Sequence, residues 1–281
     1  MRRPAGRFLS ASFLLAVLFG AASAWPVWGQ AQRETPGGPP PNGPAANAAY
    51  SNGIAIFPFR DRRDASGSDW LGAYLREGIA DTLRREGSLP VMSGETARLW
   101  AARFGNDLDA TMAEEAHRTM GVSAVVRAAT QRVVDQARVR LHWSPAAPDG
   151  GAGESWEFRL DLARQSPRQA LERVMEPLLA RLLPAPTPVP PPQPESWKSV
   201  AAYYDALRVP GGAGASALAE ALAEAQGDSA LRGRALAALA EGKLQEAMAE
   251  STPAAARQSL LREALRMAKE AARLEPWHSR R

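Results

Sequence analysis

The chain has 281 residues, 45% of them hydrophobic and 23% charged, which is too polar for a multi-span membrane protein and too apolar for wholesale disorder. A net charge of +4 and a pI of about 9.8 suggest a nucleic-acid or membrane-surface binder until the charge is divided by segment. Arg2, Arg3 and Arg7 supply most of the excess, residues 51–183 balance 18 arginines against 18 acids, and residues 195–281 hold 12 basic residues against 11 acids. No basic footprint is then left for a nucleic acid to read.

Residues 1–24 read as a secretory signal. The three arginines form the positive region, Phe8 to Phe19 the apolar run, and Ala22-Ser23-Ala24 the small-residue cleavage site. With no cysteine in the chain, the acylated residue of a lipoprotein is missing, and disulfides, thiol catalysis and thiolate metal sites fall away with it. The expected location is therefore periplasmic or otherwise exported, and not as a lipoprotein. Of the 23 prolines, five fall within 36–44 and seven within 184–194. These runs mark a Pro/Gly/Asn/Ala-rich tether over 25–52 and a polyproline linker over 184–195, and they leave two segments to fold, 53–183 and 196–281.

In the first segment, Ile54 to Phe59 is an apolar run without alternation, as a strand buried on both faces would be, with Pro58 ending its ladder. Arg60 to Ser68 reads as a polar loop. A helix follows from an Asp69 N-cap to Glu86, carrying Leu71, Leu75, Ile79 and Leu83 at helical spacing. Gly78 inside it implies a close backbone approach, because glycine there costs about 1 kcal/mol relative to alanine. Leu89 to Met92 reads as a short strand, Glu95 to Phe104 and Leu108 to Met120 as helices, and Val122 to Val133, Ala137 to Trp143 and Glu154 to Leu162 as strands. Pro167 to Leu183 closes the segment as a helix, with Pro177 predicting a kink or a late start. The fold class is α/β: a mixed sheet with a parallel start and an antiparallel end, flanked by helices, plus a small all-α C-terminal domain.

The stretches IAIFPFRDRRDASGSDWLGAYLREGIADTL (54–83), LPVMS (89–93), MAEEAHRTMGVSAVVRA (112–128) and ARVRLHWS (137–144) resemble the TolB N-terminal-type domain of bacterial envelope proteins, a module shared with FlgO-type and CsgG/LpoB-like proteins. Matching features are the strand ending in Pro58-Phe59, the Glu77-Gly78-Ile79 triplet and the Gly121-Val122 turn. Ala128, where glycine is usual, and a long loop over 145–153 depart from the pattern. The resemblance implies a non-catalytic interaction module of the cell envelope.

The second segment is rich in Ala, Leu, Glu and Arg, and predicts helices at Trp197 to Leu207, Ser216 to Ala225, Ser229 to Ala249 and Ala254 to Leu274. The glycine-rich 209–216 stretch lacks the Lys-Ser/Thr of a phosphate loop and reads as a turn. Ala264, Ala271 and Pro276 resemble the second helix of a tetratricopeptide repeat, but only a degenerate repeat fits.

Chemistry is sparse. His117, His142 and His278 are scattered, and Glu114-x-x-His117 is half of a di-iron motif whose second copy is absent. Glu77 and Asp81 lie one turn apart on one face, as paired acids for acid–base work would, yet Arg76, Arg84 and Arg85 crowd the same helix and predict solvated ion pairing instead. Trp143 and Trp156 fall on alternating strand positions expected in the core. Trp70, Tyr74 and Trp100 lie where half-exposed rings could contact a partner. No catalytic, cofactor or metal residue is assigned. The expectation is a non-enzymatic envelope scaffold or accessory protein bound to unidentified envelope proteins. The alternative is a small-molecule or glycan-binding receptor with a cleft near residues 60–74.

Overall fold

The computed structural model describes residues 53–61, 70–86, 90–92, 94–103, 110–146, 153–183, 193–209, 211–225, 229–249 and 251–274. The signal-like stretch, the N-terminal tether and most of the polyproline linker lie outside them.

Five strands and eight helices occur among the described residues: β1 Ile54–Ile56, β2 Arg60–Asp61, α1 Trp70–Glu86, α2 Gly94–Arg103, α3 Ala110–Met120, β3 Ala124–Val133, β4 Gln136–Pro145, β5 Glu154–Asp161, α4 Pro167–Leu182, α5 Trp197–Ala206, α6 Gly211–Glu224, α7 Ser229–Met248 and α8 Ala254–Leu274. The sheet order is β1-β3-β4-β5, with β2 also on β3. The β1–β3 and β2–β3 pairs are parallel, and β3–β4 and β4–β5 are antiparallel. The mixed sheet with flanking helices and an all-helical C-terminal region is thus as the sequence predicts.

Three local expectations are corrected. Arg60 does not begin a loop; the chain rejoins β3 as β2. Ile56 to Arg60 advances four positions while their partners Val126 to Ala129 advance three, so the extra residue around Pro58 is a bulge that re-enters the ladder. The stretch around Leu89 to Met92 forms a single bridge, Val91 with Ile54, not a strand. The glycine-rich stretch at 209–216 supplies the first turn of α6. A Cβ at Gly214 would run into the Val209 carbonyl, so glycine permits the tight entry. Helix α4 starts at Pro167 on a Ser166 capping box and runs through Pro177 without a late start.

The two faces of the sheet are covered differently. Ile54, Ile56, Val126, Ala128, Val139, Leu141 and Leu160 pack against α1 and α4. On the other face, Ala55, Phe57 and Val125 pack against Met92, α2 and α3. The close approach expected at Gly78 is present, since a Cβ there would lie 2.6 Å from a Leu171 methyl of α4. The helical segment shares the first core: Val200, Tyr203, Tyr204, Leu218, Leu231 and Leu239 belong to the cluster that contains α1.

Candidate functional site

The seam between α1 and the C-terminal helices gathers most of the residues singled out from the sequence. Trp70 and Tyr74 are 4% and 0% exposed. Their rings lie 5.6 and 5.5 Å from Trp197 at the start of α5, the second edge-on. The Trp197 indole N–H donates to the Gln165 carbonyl at 2.7 Å, and the Tyr74 hydroxyl donates to Gln193 Oε1 at 3.1 Å. Arg132 stacks over the Trp70 ring. Trp100, 8% exposed, lies in the second core with α3.

The expectation of half-exposed rings is thus corrected. These aromatics are covered by the chain's own helices or by its second core, and Trp197 fills the place next to Trp70 and Tyr74 that a ligand or partner was expected to take. The burial ranking of the tryptophans is reversed as well. Trp143 and Trp156, expected inside, are only partly buried against the core.

Below the aromatics lies a polar cluster. The Tyr204 hydroxyl donates to Glu77 Oε2 at 2.7 Å. Arg234, 2% exposed, reaches Asp81 Oδ2 at 3.3 Å, and Asp81 also accepts from Arg84 at 3.0 Å. Burial raises the Glu77 carboxyl above its usual range, opposed by Arg76, Arg234 and the Tyr204 hydrogen bond. Burial and the adjacent Glu77 carboxylate push the Tyr204 phenol well up, and burial lowers Arg76. The acidic pair of α1 is therefore joined to the helical segment, Glu77 through α5 and Asp81 through α7. The expected solvated ion pairing is thus corrected: Asp81 keeps its Arg84 partner, but both carboxylates turn into the seam, because the helical segment covers this face of α1 and supplies Tyr204 and Arg234. The spacing of Glu77 and Asp81 is visible in the sequence, whereas Tyr204 gave no local signal and Arg234 only a faint one. An arginine amid Ala and Leu in α7 is the only hint.

Elsewhere, His117 Nδ1 is 2.8 Å from the Val122 carbonyl, which can only accept, so the ring donates and ties the end of α3 to the approach of β3. The Glu114–His117 half-motif is thus engaged locally through its histidine. Among the described residues no group of three or more His, Asp or Glu side chains is placed to hold a metal ion, and no helix is long and apolar enough to cross a membrane.

No family model and no curated relative matches the chain. Three solved structures are similar to it. The LpoB C-terminal domain from Salmonella enterica is 12% identical, over 42% of this chain and 88% of that one, with a TM-score of 0.30. Lipoprotein GNA1162 from Neisseria meningitidis is 13% identical, over 48% and 98%, with a TM-score of 0.31. The hypothetical protein CT253 from Chlamydia trachomatis is 17% identical, over 47% and 95%, with a TM-score of 0.33.

Proposed function

We propose that this chain is an exported, non-catalytic scaffold or accessory protein of the cell envelope, built on a TolB N-terminal-type module and acting through protein contacts. The observation that carries the reading is the fate of the Glu77–Asp81 pair. These were the carboxylates best placed for acid–base work, and each is bonded across the seam to Tyr204 or Arg234, which makes the helical segment part of the same body as the sheet. The signal-like start and the proline-rich tether favour export. The receptor alternative loses its aromatic lining, because Trp70 and Tyr74 pack on Trp197.

The test is photo-crosslinking in intact envelopes, with the photoreactive residue placed in turn on β4, β5 and α8, and adducts identified by mass spectrometry. Discrete protein adducts from at least one site are expected. Their absence from all sites, together with thermal stabilisation of the purified protein by a small molecule or glycan, would overturn the reading.

A further inference from the structure

β4 and β5 alternate apolar and polar residues, so one of their faces packs on α1 and α4 and the other carries the polar side chains. On that second face, Arg127, His142 and Ser155 lie in one cross-strand row, then Ala129, Arg140 and Glu157, then Gln131, Arg138 and Arg159. Helices α2 and α3 reach only the β1–β3 end, and among the described residues nothing covers the rows on β4 and β5.

Three arginines of β4 and β5, Arg138, Arg140 and Arg159, therefore share an open face with one carboxylate at its centre, while Arg127 lies half-buried at its covered β3 edge. Glu157 bridges Arg138 at 2.5 Å and Arg140 at 3.0 Å. Asp161, at the end of the same face, turns back to accept from the Ala163 N–H. Arg138 and Arg159 stand directly opposite each other, a like-charge pairing that disfavours the sheet. Arg159 is exposed and has no ion pair among the described residues. At the hairpin end of this face Val133 is half-exposed, and Val134 beyond it is 79% exposed at φ 55°, a conformation that a β-branched residue rarely adopts. Charge repulsion and backbone strain thus sit together at one patch, which the needs of folding do not explain.

We infer that the Arg138–Arg140–Arg159 face docks an acidic, extended segment of a partner protein, with Val133 as its apolar anchor. This rests on the scaffold reading and names the partner's chemistry. The bridged Glu157 already displays the interaction, a carboxylate held between two guanidiniums on neighbouring rungs of one strand. Side chains two apart on an extended partner recur at about 6.8 Å, the spacing of alternate residues on β4, so successive glutamates can meet successive arginines. A carboxylate fixed at the centre of the face opposes a uniform anionic layer such as a lipid surface. It accommodates a discrete chain whose acids fall on either side of it.

The probe is a fluorescein-labelled peptide alternating glutamate with threonine, its binding to the full chain followed by anisotropy. Binding should weaken about tenfold or more in Arg138→Glu/Arg159→Glu and less in Arg138→Gln/Arg159→Gln. It should fall with added salt and be absent for the lysine-threonine counterpart. Far-UV circular dichroism and thermal melting establish that the variants are folded, and the glutamine pair serves if the glutamate pair is not. Equal binding by wild type and the folded variants, or no binding by wild type, would overturn the inference. So would binding to phosphatidylglycerol vesicles without binding to the acidic peptide. In envelopes, crosslinks from α8 but none from positions 138 and 159 would sink this inference while leaving the scaffold reading standing.

Discussion

Trp197→Ala tests whether the sheet and the C-terminal helices melt as one unit. The ring makes two aromatic contacts, with Trp70 and Tyr74, each worth about 0.5–1.5 kcal/mol. Its N–H bond to the Gln165 carbonyl adds about 1 kcal/mol. Fully buried Trp→Ala changes cost about 3–5 kcal/mol, and Trp197 is only partly buried, so a loss of about 3 kcal/mol is expected. Trp197→Phe keeps an aromatic ring and removes the N–H, and should cost about 1 kcal/mol. Urea unfolding followed by far-UV circular dichroism gives both values. The expected curve is one transition with a lower midpoint and an unchanged slope, because Tyr204–Glu77 and Arg234–Asp81 still hold the seam. A loss below about 1 kcal/mol, or a separate early transition of the helical signal with the remaining transition unmoved, would refute the shared core.

Three further outcomes follow from single positions. Gly78→Ala should destabilise despite a gain in helix propensity of about 1 kcal/mol, because its Cβ would lie 2.6 Å from a Leu171 methyl; Leu171→Ala should then cost less in that background than in wild type, as a double-mutant cycle in urea would show. Glu77→Gln should flatten the pH dependence of the melting temperature. The folded protein raises the Glu77 pKa, so its contribution is complete below the ordinary carboxylate range and is lost as pH rises through the raised value; a variant that still loses stability as steeply over that window would contradict the assignment. Val134→Asn should stabilise by about 1 kcal/mol, since asparagine tolerates φ 55° in a two-residue hairpin turn, and thermal melting will register the gain.

Elements that are long and periodic could be read from the chain, since burial on one face imposes the period. α1, β3, β4, β5 and α4 fall within a few residues of expectation for this reason. Gly78 was legible too, because a residue that weakens a helix needs a packing reason. What could not be read are events decided by a distant part of the chain. The return of Arg60 to the sheet depends on β3, some 70 residues later. The first turn of α6 forms although glycine disfavours it, because packing against α5 and α7 outweighs propensity. The rings of Trp70 and Tyr74 look half-exposed on an isolated α1 and are buried because Trp197, more than 120 positions away, lies on them. Arg138, Arg140 and Arg159 were visible in the sequence as the polar half of two alternating strands, but alternation alone reports which half is buried. Their concentration on one face emerges only once the register is known.

The strand sequences also determine where the third layer of the fold ends. A sheet covered on both faces needs apolar residues on both, and β1 and the start of β3 provide them with Ile54-Ala55-Ile56 and Ala124-Val125-Val126. β4 and β5 alternate, so helices can cover only one of their faces, and α1 and α4 occupy it. Solubility would be served equally by lysine on the face left open. Yet all three lysines of the chain, Lys198, Lys243 and Lys269, lie in the helical segment, and residues 51–183 carry their 18 positive charges entirely as arginine. Arginine differs from lysine in its rigid planar fork, which meets a carboxylate through paired N–H groups and holds that geometry. Arg138 and Arg140 already use that fork on Glu157, and Arg159 beside them offers the same geometry to a further carboxylate.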